Sequence, residues 1–70
     1  MTGQVDDPPL TLLIDDTGTY TYMGEAIPGT ATSASDWSIS RVTNATNLIY
    51  YASSGSRSQI WDNRASLSYQ

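Results

Sequence analysis

Histidine, cysteine and phenylalanine do not occur in this sequence, and its three basic residues are all arginine, so lysine is absent as well. Without cysteine the chain forms no disulfide, and without cysteine and histidine it lacks the usual ligands for zinc, copper and iron. The same absences remove the commonest general base, the thiolate nucleophile and the Schiff-base amine. We therefore expect a non-enzymatic protein with no catalytic residue, no metal site and no cofactor.

Positive charge is also scarce, because three arginines stand against seven acidic residues and the net charge is −4. This sign repels phosphate, and no polybasic run is present to attract anionic lipid. No segment approaches the roughly 20 apolar residues of a membrane-spanning helix, and the first residues lack the basic and apolar regions of a signal peptide. We expect no nucleic-acid partner and no membrane partner, and we expect synthesis in the cytoplasm.

The length of 70 residues allows one small domain. A chain of this size buries only about 60% of its unfolded surface, so its stability is marginal without a staple. With no disulfide and no metal, contacts with other subunits are the remaining source of stability. The sequence therefore favours a homo-oligomer, or a chain that docks onto a larger assembly.

Alternation of apolar and polar side chains predicts an all-β fold. One hairpin pairs residues 10 to 14 with residues 19 to 23 around turn residues 15 to 18. A second pairs residues 37 to 42 with residues 48 to 52, and we expect both faces of this last strand to be at least partly covered. The prediction is a small antiparallel meander of four to five strands with almost no helix.

The segments outside the two hairpins are predicted to be irregular. Residues 1 to 9 contain Pro8 and Pro9 and form an extended N-terminal arm, which leaves residues 10 to 70 as the single small β domain. The strand pattern stops after Gly24, and residues 25 to 36 form a long connection of small side chains. Since neither the arm nor the part of this connection from Ile27 to Ser35 has many large apolar residues, we expect both to contact another subunit.

Aromatic and arginine side chains supply the candidate residues of the core or of an interface. Arg64 can pair with Asp62 or with an acidic group of another subunit, and its planar guanidinium can stack on Trp61. Arg41 follows Trp37 and Ile39 on one strand face and can do the same. The full set of candidates is Trp37, Ile39, Arg41, Tyr50, Trp61, Asp62 and Arg64.

Three stretches of the chain form a recognisable pattern. They are Tyr-Met-Gly-Glu-Ala-Ile-Pro-Gly-Thr at 22 to 30, Trp-Ser-Ile-Ser-Arg at 37 to 41 and Trp-Asp-Asn-Arg-Ala-Ser-Leu at 61 to 67. This pattern, over roughly residues 20 to 69, resembles short β-rich virion-associated structural proteins of tailed bacteriophages and their prophages. The resemblance implies a capsid or tail accessory protein that decorates or joins, with other virion proteins as partners and the virion as its location.

A second function remains open at this point. Two tryptophans and five tyrosines give nearly every aromatic side chain a polar tip, which is typical of interfaces. Such residues can also form a platform for saccharide. The alternative is therefore a host-recognition module that binds saccharide or protein through surface aromatic residues, although Trp37 and Trp61 are expected to belong first to the core.

Overall fold

Four strands form one antiparallel sheet in the computed structural model, which describes residues 10 to 70. The strands lie side by side in chain order, and their bounds are β1 Thr11–Asp16, β2 Tyr20–Ala26, β3 Ser38–Thr43 and β4 Leu48–Tyr51. The predicted all-β meander is confirmed. The predicted arm, residues 1 to 9, lies outside the described residues.

The first hairpin is longer than the sequence predicted at both of its ends. Asp15 and Asp16 were predicted to be turn residues, but both belong to β1, and the turn begins at Thr17. Gly18 has a φ of 94°, a left-handed conformation that glycine adopts without strain, and its N–H donates to the carboxylate of Asp16. The prediction that the strand pattern stops after Gly24 was wrong as well, because β2 continues to a fully buried Ala26.

Asn44 fastens the two hairpin turns together. Its amide Nδ2 donates to the Asp16 carboxylate at 3.0 Å and to the Gly18 carbonyl at 3.1 Å, while its Oδ1 accepts the Thr21 hydroxyl at 2.8 Å. Its backbone N–H donates to the Thr19 carbonyl. The turn between β3 and β4 is thus tied to the turn between β1 and β2, which fixes one end of the sheet.

The C-terminal segment, residues 59 to 70, returns across one side of the sheet. It starts with a bridge between Trp37 and Gln59, continues as a 3-10 helix at Trp61–Ser66, and pairs with the end of β4 through mutual backbone hydrogen bonds of Tyr51 and Gln70. We call the side that it packs against the covered face and the other side the open face.

The core lies between the covered face and the C-terminal segment. Directly opposed residues of antiparallel strands share a face, so the strand register assigns each side chain. The buried residues among those described are all hydrophobic: Tyr22, Ala26, Trp37, Ile39, Ala52 and Trp61. Six buried side chains make a small core, as the length of the chain requires.

Strand β4 corrects one expectation. The sequence predicted partial cover on both faces, but three of the four residues in this strand are exposed: Leu48, Ile49 and Tyr51. The reason is that β4 lies at the edge of the sheet and no described helix or strand packs on its open face.

Candidate functional site

Two tryptophans form the centre of the covered face. Trp37 is 1% exposed and Trp61 is 6% exposed, and their ring centroids are 6.1 Å apart with an interplanar angle of 41°. The indole N–H of Trp37 donates to the Ala31 carbonyl at 2.9 Å, which satisfies the polar tip of this side chain. Both indoles are used for packing within the chain and are not available as a platform for saccharide.

Gly24 is the position where β2 meets these indoles. A Cβ atom at this residue would lie 2.5 Å from Cε3 of Trp61 and 3.2 Å from Cε3 of Trp37. Real Cβ atoms do not approach ring carbons so closely, so only glycine fits. Gly24, Trp37 and Trp61 belong to the three separate stretches of the sequence pattern, and the fold brings all three into contact.

Arg64 anchors the 3-10 helix to the first strand. Its Nε donates to the Asp15 carboxylate at 3.0 Å, one of its terminal nitrogens donates to the Trp61 carbonyl, and its guanidinium lies 4.6 Å from the centre of the Trp61 ring. The predicted pairing with Asp62 was therefore wrong. Asp62 is exposed, whereas Asp15 points from β1 towards the covered face, where the guanidinium lies.

The backbone of Asp62 has a different role. Its N–H donates to the Thr32 carbonyl at 3.1 Å, one residue after the Ala31 carbonyl that accepts the Trp37 indole. Two hydrogen bonds thus hold the loop between β2 and β3 on its own subunit. The sequence had given no reason for order in this loop, since its side chains are small and the anchoring acceptors are backbone carbonyls.

Tyr69 closes the other end of the C-terminal segment. Its hydroxyl donates to the Arg64 carbonyl at 2.6 Å, and its ring packs 6.0 Å from the ring of Tyr22. Burial raises the pKa of Tyr69 to about 12, and the neighbouring Tyr22 raises it further while Arg41 and Arg64 act in the opposite direction. The phenol is therefore kept protonated, which is the form that donates this hydrogen bond.

Arg41 lies between two tyrosine rings. Its guanidinium carbon is 4.4 Å from the centre of the Tyr20 ring and 4.7 Å from the centre of the Tyr69 ring. It sits in a row of the covered face between Tyr22 on β2 and Tyr50 on β4. Sequence reasoning placed this arginine on the correct face, but the rings that hold it are tyrosines and not an indole.

No described residue pairs with the Arg41 guanidinium by a hydrogen bond or an ion pair. Its Nε is buried and has no hydrogen-bond partner in the described part of the chain. The one salt bridge found among residues 10 to 70 is that of Arg64 with Asp15. Tyr50, a further predicted candidate, is half-buried directly opposite Arg41.

The open face carries the second candidate site. Three rows of directly opposed residues cross it. The central row is Ile14, Met23, Ser40 and Tyr51; the rows on either side are Asp16, Thr21, Val42 and Ile49, and Leu12, Glu25 and Ser38.

Apolar side chains dominate the middle of this face and stay in contact with solvent. Leu12, Ile14, Ile49 and Tyr51 are each about half exposed, and Met23 and Val42 are partly buried against their neighbours. Single exposed apolar residues are ordinary, but a contiguous group of them marks an interaction surface. The open face is therefore the largest feature of the fold that calls for a partner.

Sequence reasoning missed this face, although a signal was present. In LTLLI at 10 to 14, leucine and isoleucine occupy both alternating positions, so one face of β1 can be buried in the core while the other still carries Leu12 and Ile14. LIYY in β4 shows the same property. Two hairpins with apolar residues on both faces, in a chain too short to cover both, predict one uncovered face.

A small depression lies beside the end of β4. It has a volume of about 180 Å³ and is lined by Tyr51, Ser53, Ser54, Ser68 and Gln70. Ser53 and Ser54 have φ angles of 47° and 57°, which are uncommon for residues other than glycine. This is the one place on the described surface where an exposed aromatic ring and several hydroxyl groups meet.

Carboxylates are too dispersed to form a metal centre in the described chain. No group of three or more histidine, cysteine, aspartate or glutamate side chains from residues 10 to 70 could hold a metal ion. The described part of the chain also has no helix with the length and apolar character needed to cross a membrane.

Comparison with known proteins gives no relative of this chain. No protein-family model, no characterised protein and no solved structure matches it. The covered face and the open face are therefore interpreted from their own geometry.

Proposed function

We propose that this chain is a structural protein of a bacteriophage virion, a non-enzymatic capsid or tail accessory module that decorates or joins through subunit contacts. The observation that carries the contact role is the open face, a sheet surface with an apolar central row and no cover from the described chain. The sequence pattern supplies the phage assignment, and in the fold its three stretches meet at Gly24, Trp37 and Trp61. A pattern that builds the core fits a shared fold better than a shared binding site.

The occupant of the open face that we propose is a second copy of the same chain. Four strands about 4.8 Å apart, each about six residues long at 3.3 Å per residue, give a flat footprint of roughly 19 by 20 Å. Two such faces packed together, with the relief of their side chains, bury on the order of 1,000 Å² in total, which is the lower end of specific interfaces. A pair of open faces is thus large enough for a reversible dimer.

The arrangement of polar groups on the face agrees with this packing. The central row from Ile14 to Tyr51 has no charged residue, and the two carboxylates of the face, Asp16 and Glu25, lie in the rows on either side. Interfaces have an apolar centre and a polar rim. Packing two sheets about 10 Å apart would add a second apolar layer to a protein whose own core has six buried side chains.

A matched pair of isoleucines tests the proposal. Ile14 is 63% exposed on the open face, and Ile27 is 58% exposed in the loop between β2 and β3. Ile14→Lys and Ile27→Lys change the same residue in the same way, and only the first alters the open face. Light scattering with size-exclusion chromatography over a dilution series measures the mass of each protein.

We expect the parent protein to have a mass above one 7.6 kDa chain at high concentration. Because each Ile14 side chain contributes about 1 to 2 kcal/mol and occurs twice in the dimer, Ile14→Lys should weaken association by about 100-fold or more. Ile27→Lys should leave it unchanged. A parent protein that is monomeric throughout would contradict the proposal, and dissociation by Ile27→Lys alone would place the interface in the loop that the sequence had suggested.

The virion assignment has its own test. A mass-spectrometric inventory of purified particles from a phage or prophage that encodes the chain should find it in many copies per particle. Its absence from particles would contradict the assignment, whatever its oligomeric state.

The alternative function, a host-recognition module, draws support from one observation. The depression beside β4 places the Tyr51 ring next to serine hydroxyl groups, which is the combination that binds saccharide. Binding of the protein to host cells that is lost in Tyr51→Ala, together with a monomeric mass, would favour this alternative over the structural module.

A further inference from the structure

Arg41 differs from the other two arginines in how its charge is treated. Arg64 is neutralised by Asp15 at 3.0 Å, and Arg57 is an exposed residue of a surface turn. Arg41 is held in a fixed plane between two rings, yet it has no anionic partner among the described residues. An acidic protein with seven carboxylates thus keeps one of its three guanidinium groups unpaired at a partly buried position.

The tyrosine rings leave one side of this group available. Rings at 4.4 and 4.7 Å cover the two faces of the guanidinium, and the neighbouring backbone buries Nε. Nε is the one buried nitrogen of Arg41 that lacks a partner, so the two terminal nitrogens, which form no hydrogen bond either, remain accessible at the outer edge. That edge is the fork with which arginine forms two parallel hydrogen bonds.

A carboxylate is the ligand that fits this fork. It is planar, it accepts two parallel N–H bonds, and its bonds to a charged donor are about twice as strong as neutral ones. The stacked rings hold the arginine side chain still, so little conformational entropy remains to be lost when the anion binds. Recognition of a nucleic acid instead requires several cations along a phosphate backbone, and here a single one is present in a chain of net charge −4.

We propose that Arg41, clamped by Tyr20 and Tyr69, is a binding site for one carboxylate, supplied by an aspartate or glutamate side chain of a partner polypeptide. The site lies on the covered face and does not depend on the open face or on the virion assignment. Its occupant replaces the water that now solvates the terminal nitrogens of Arg41.

Nuclear magnetic resonance tests this site on the parent protein, with sodium acetate as the probe. The arginine Nε–Hε signals are followed during titration, with sodium chloride at equal ionic strength as the reference and sodium phosphate as a third series. We expect the Arg41 signal to shift and saturate with acetate, at a concentration about ten-fold below any effect on the Arg57 signal. Sodium chloride should not reproduce the shift.

Two variants show whether the rings form the clamp. Tyr69→Phe keeps the ring and loses only the hydroxyl, so acetate binding should be retained. Tyr20→Leu removes one ring and should weaken binding several-fold, with the backbone spectrum serving as the check that the variant is folded. Equal responses of Arg41 and Arg57 to acetate would overturn the proposal, and so would a stronger response to phosphate than to acetate.

Discussion

Gly24→Ala adds a single methyl group at the most crowded point of the fold. The new Cβ would lie 2.5 Å from one ring carbon of Trp61 and 2.8 Å from another, whereas comfortable carbon contacts are about 3.5 to 4.0 Å. The ring would have to move by about 1 Å. It has little freedom to do so, because Trp37 packs beside it and the Arg64 guanidinium lies over it.

The expected cost follows from opposing effects. Burial of the methyl group contributes about 0.8 kcal/mol, and reduced freedom of the unfolded chain contributes about 0.4 to 1 kcal/mol. Overpacking costs about 1 to 3 kcal/mol, and displacement of a buried indole costs about 3 to 5 kcal/mol. We expect a net loss of about 2 kcal/mol or more, from a total of roughly 4 to 10 kcal/mol for a chain of this length.

Urea unfolding followed by tryptophan fluorescence measures this loss, and two comparisons identify its cause. Gly29 has a φ of 90° and nothing within 4 Å of its Cβ position, so Gly29→Ala reports backbone strain alone, about 1 to 2 kcal/mol. In a Trp61→Leu background the clash is absent, and Gly24→Ala should cost less than about 1 kcal/mol. A neutral Gly24→Ala, or an equal cost in both backgrounds, would refute the packing described here.

Three further predictions concern the covered face. Trp37→Ala should destabilise by about 3 to 5 kcal/mol in urea unfolding, since it removes a buried indole and its hydrogen bond to Ala31. Arg64→Ala should cost about 1 to 2 kcal/mol, because it loses a partly exposed ion pair, a hydrogen bond and a stacked ring; lysine should not restore this, and a full rescue by lysine would reduce the role to charge. Since the raised pKa of Tyr69 means that the folded state holds its proton longer than the unfolded state, stability should fall as pH rises from about 10 to about 12; Tyr69→Phe should remove that part of the pH dependence, and an unchanged profile would contradict it.

Period-two alternation was enough to predict the meander, because each hairpin contains its own turn chemistry. The Thr-Gly turn before β2 illustrates this, with Gly18 in the left-handed conformation that the residue type suggested. Alternation also placed Trp37, Ile39 and Arg41 on one face, as the register shows. Local patterns of this kind depend on neighbours in the chain and can be read from it.

Contacts between distant segments could not be predicted in the same way. Asp15 and Arg64 are 49 residues apart, and nothing local favours Asp15 over the adjacent Asp62 as the partner of this arginine. The requirement for glycine at position 24 depends on an indole from the C-terminal segment. Which face of the sheet stays open is decided by where that segment returns, and two hairpins with apolar residues on both sides leave either choice possible.

The open face as the contact between two copies is the central claim, and isotope-filtered NOE spectroscopy on an equal mixture of labelled and unlabelled chains tests it most directly. The spectrum reports only contacts between different copies. We expect intermolecular NOEs from the methyl groups of the open face, those of Ile14, Met23, Val42 and Ile49. Intermolecular NOEs confined to Ile27, or none at concentrations where light scattering reports a dimer, would contradict it.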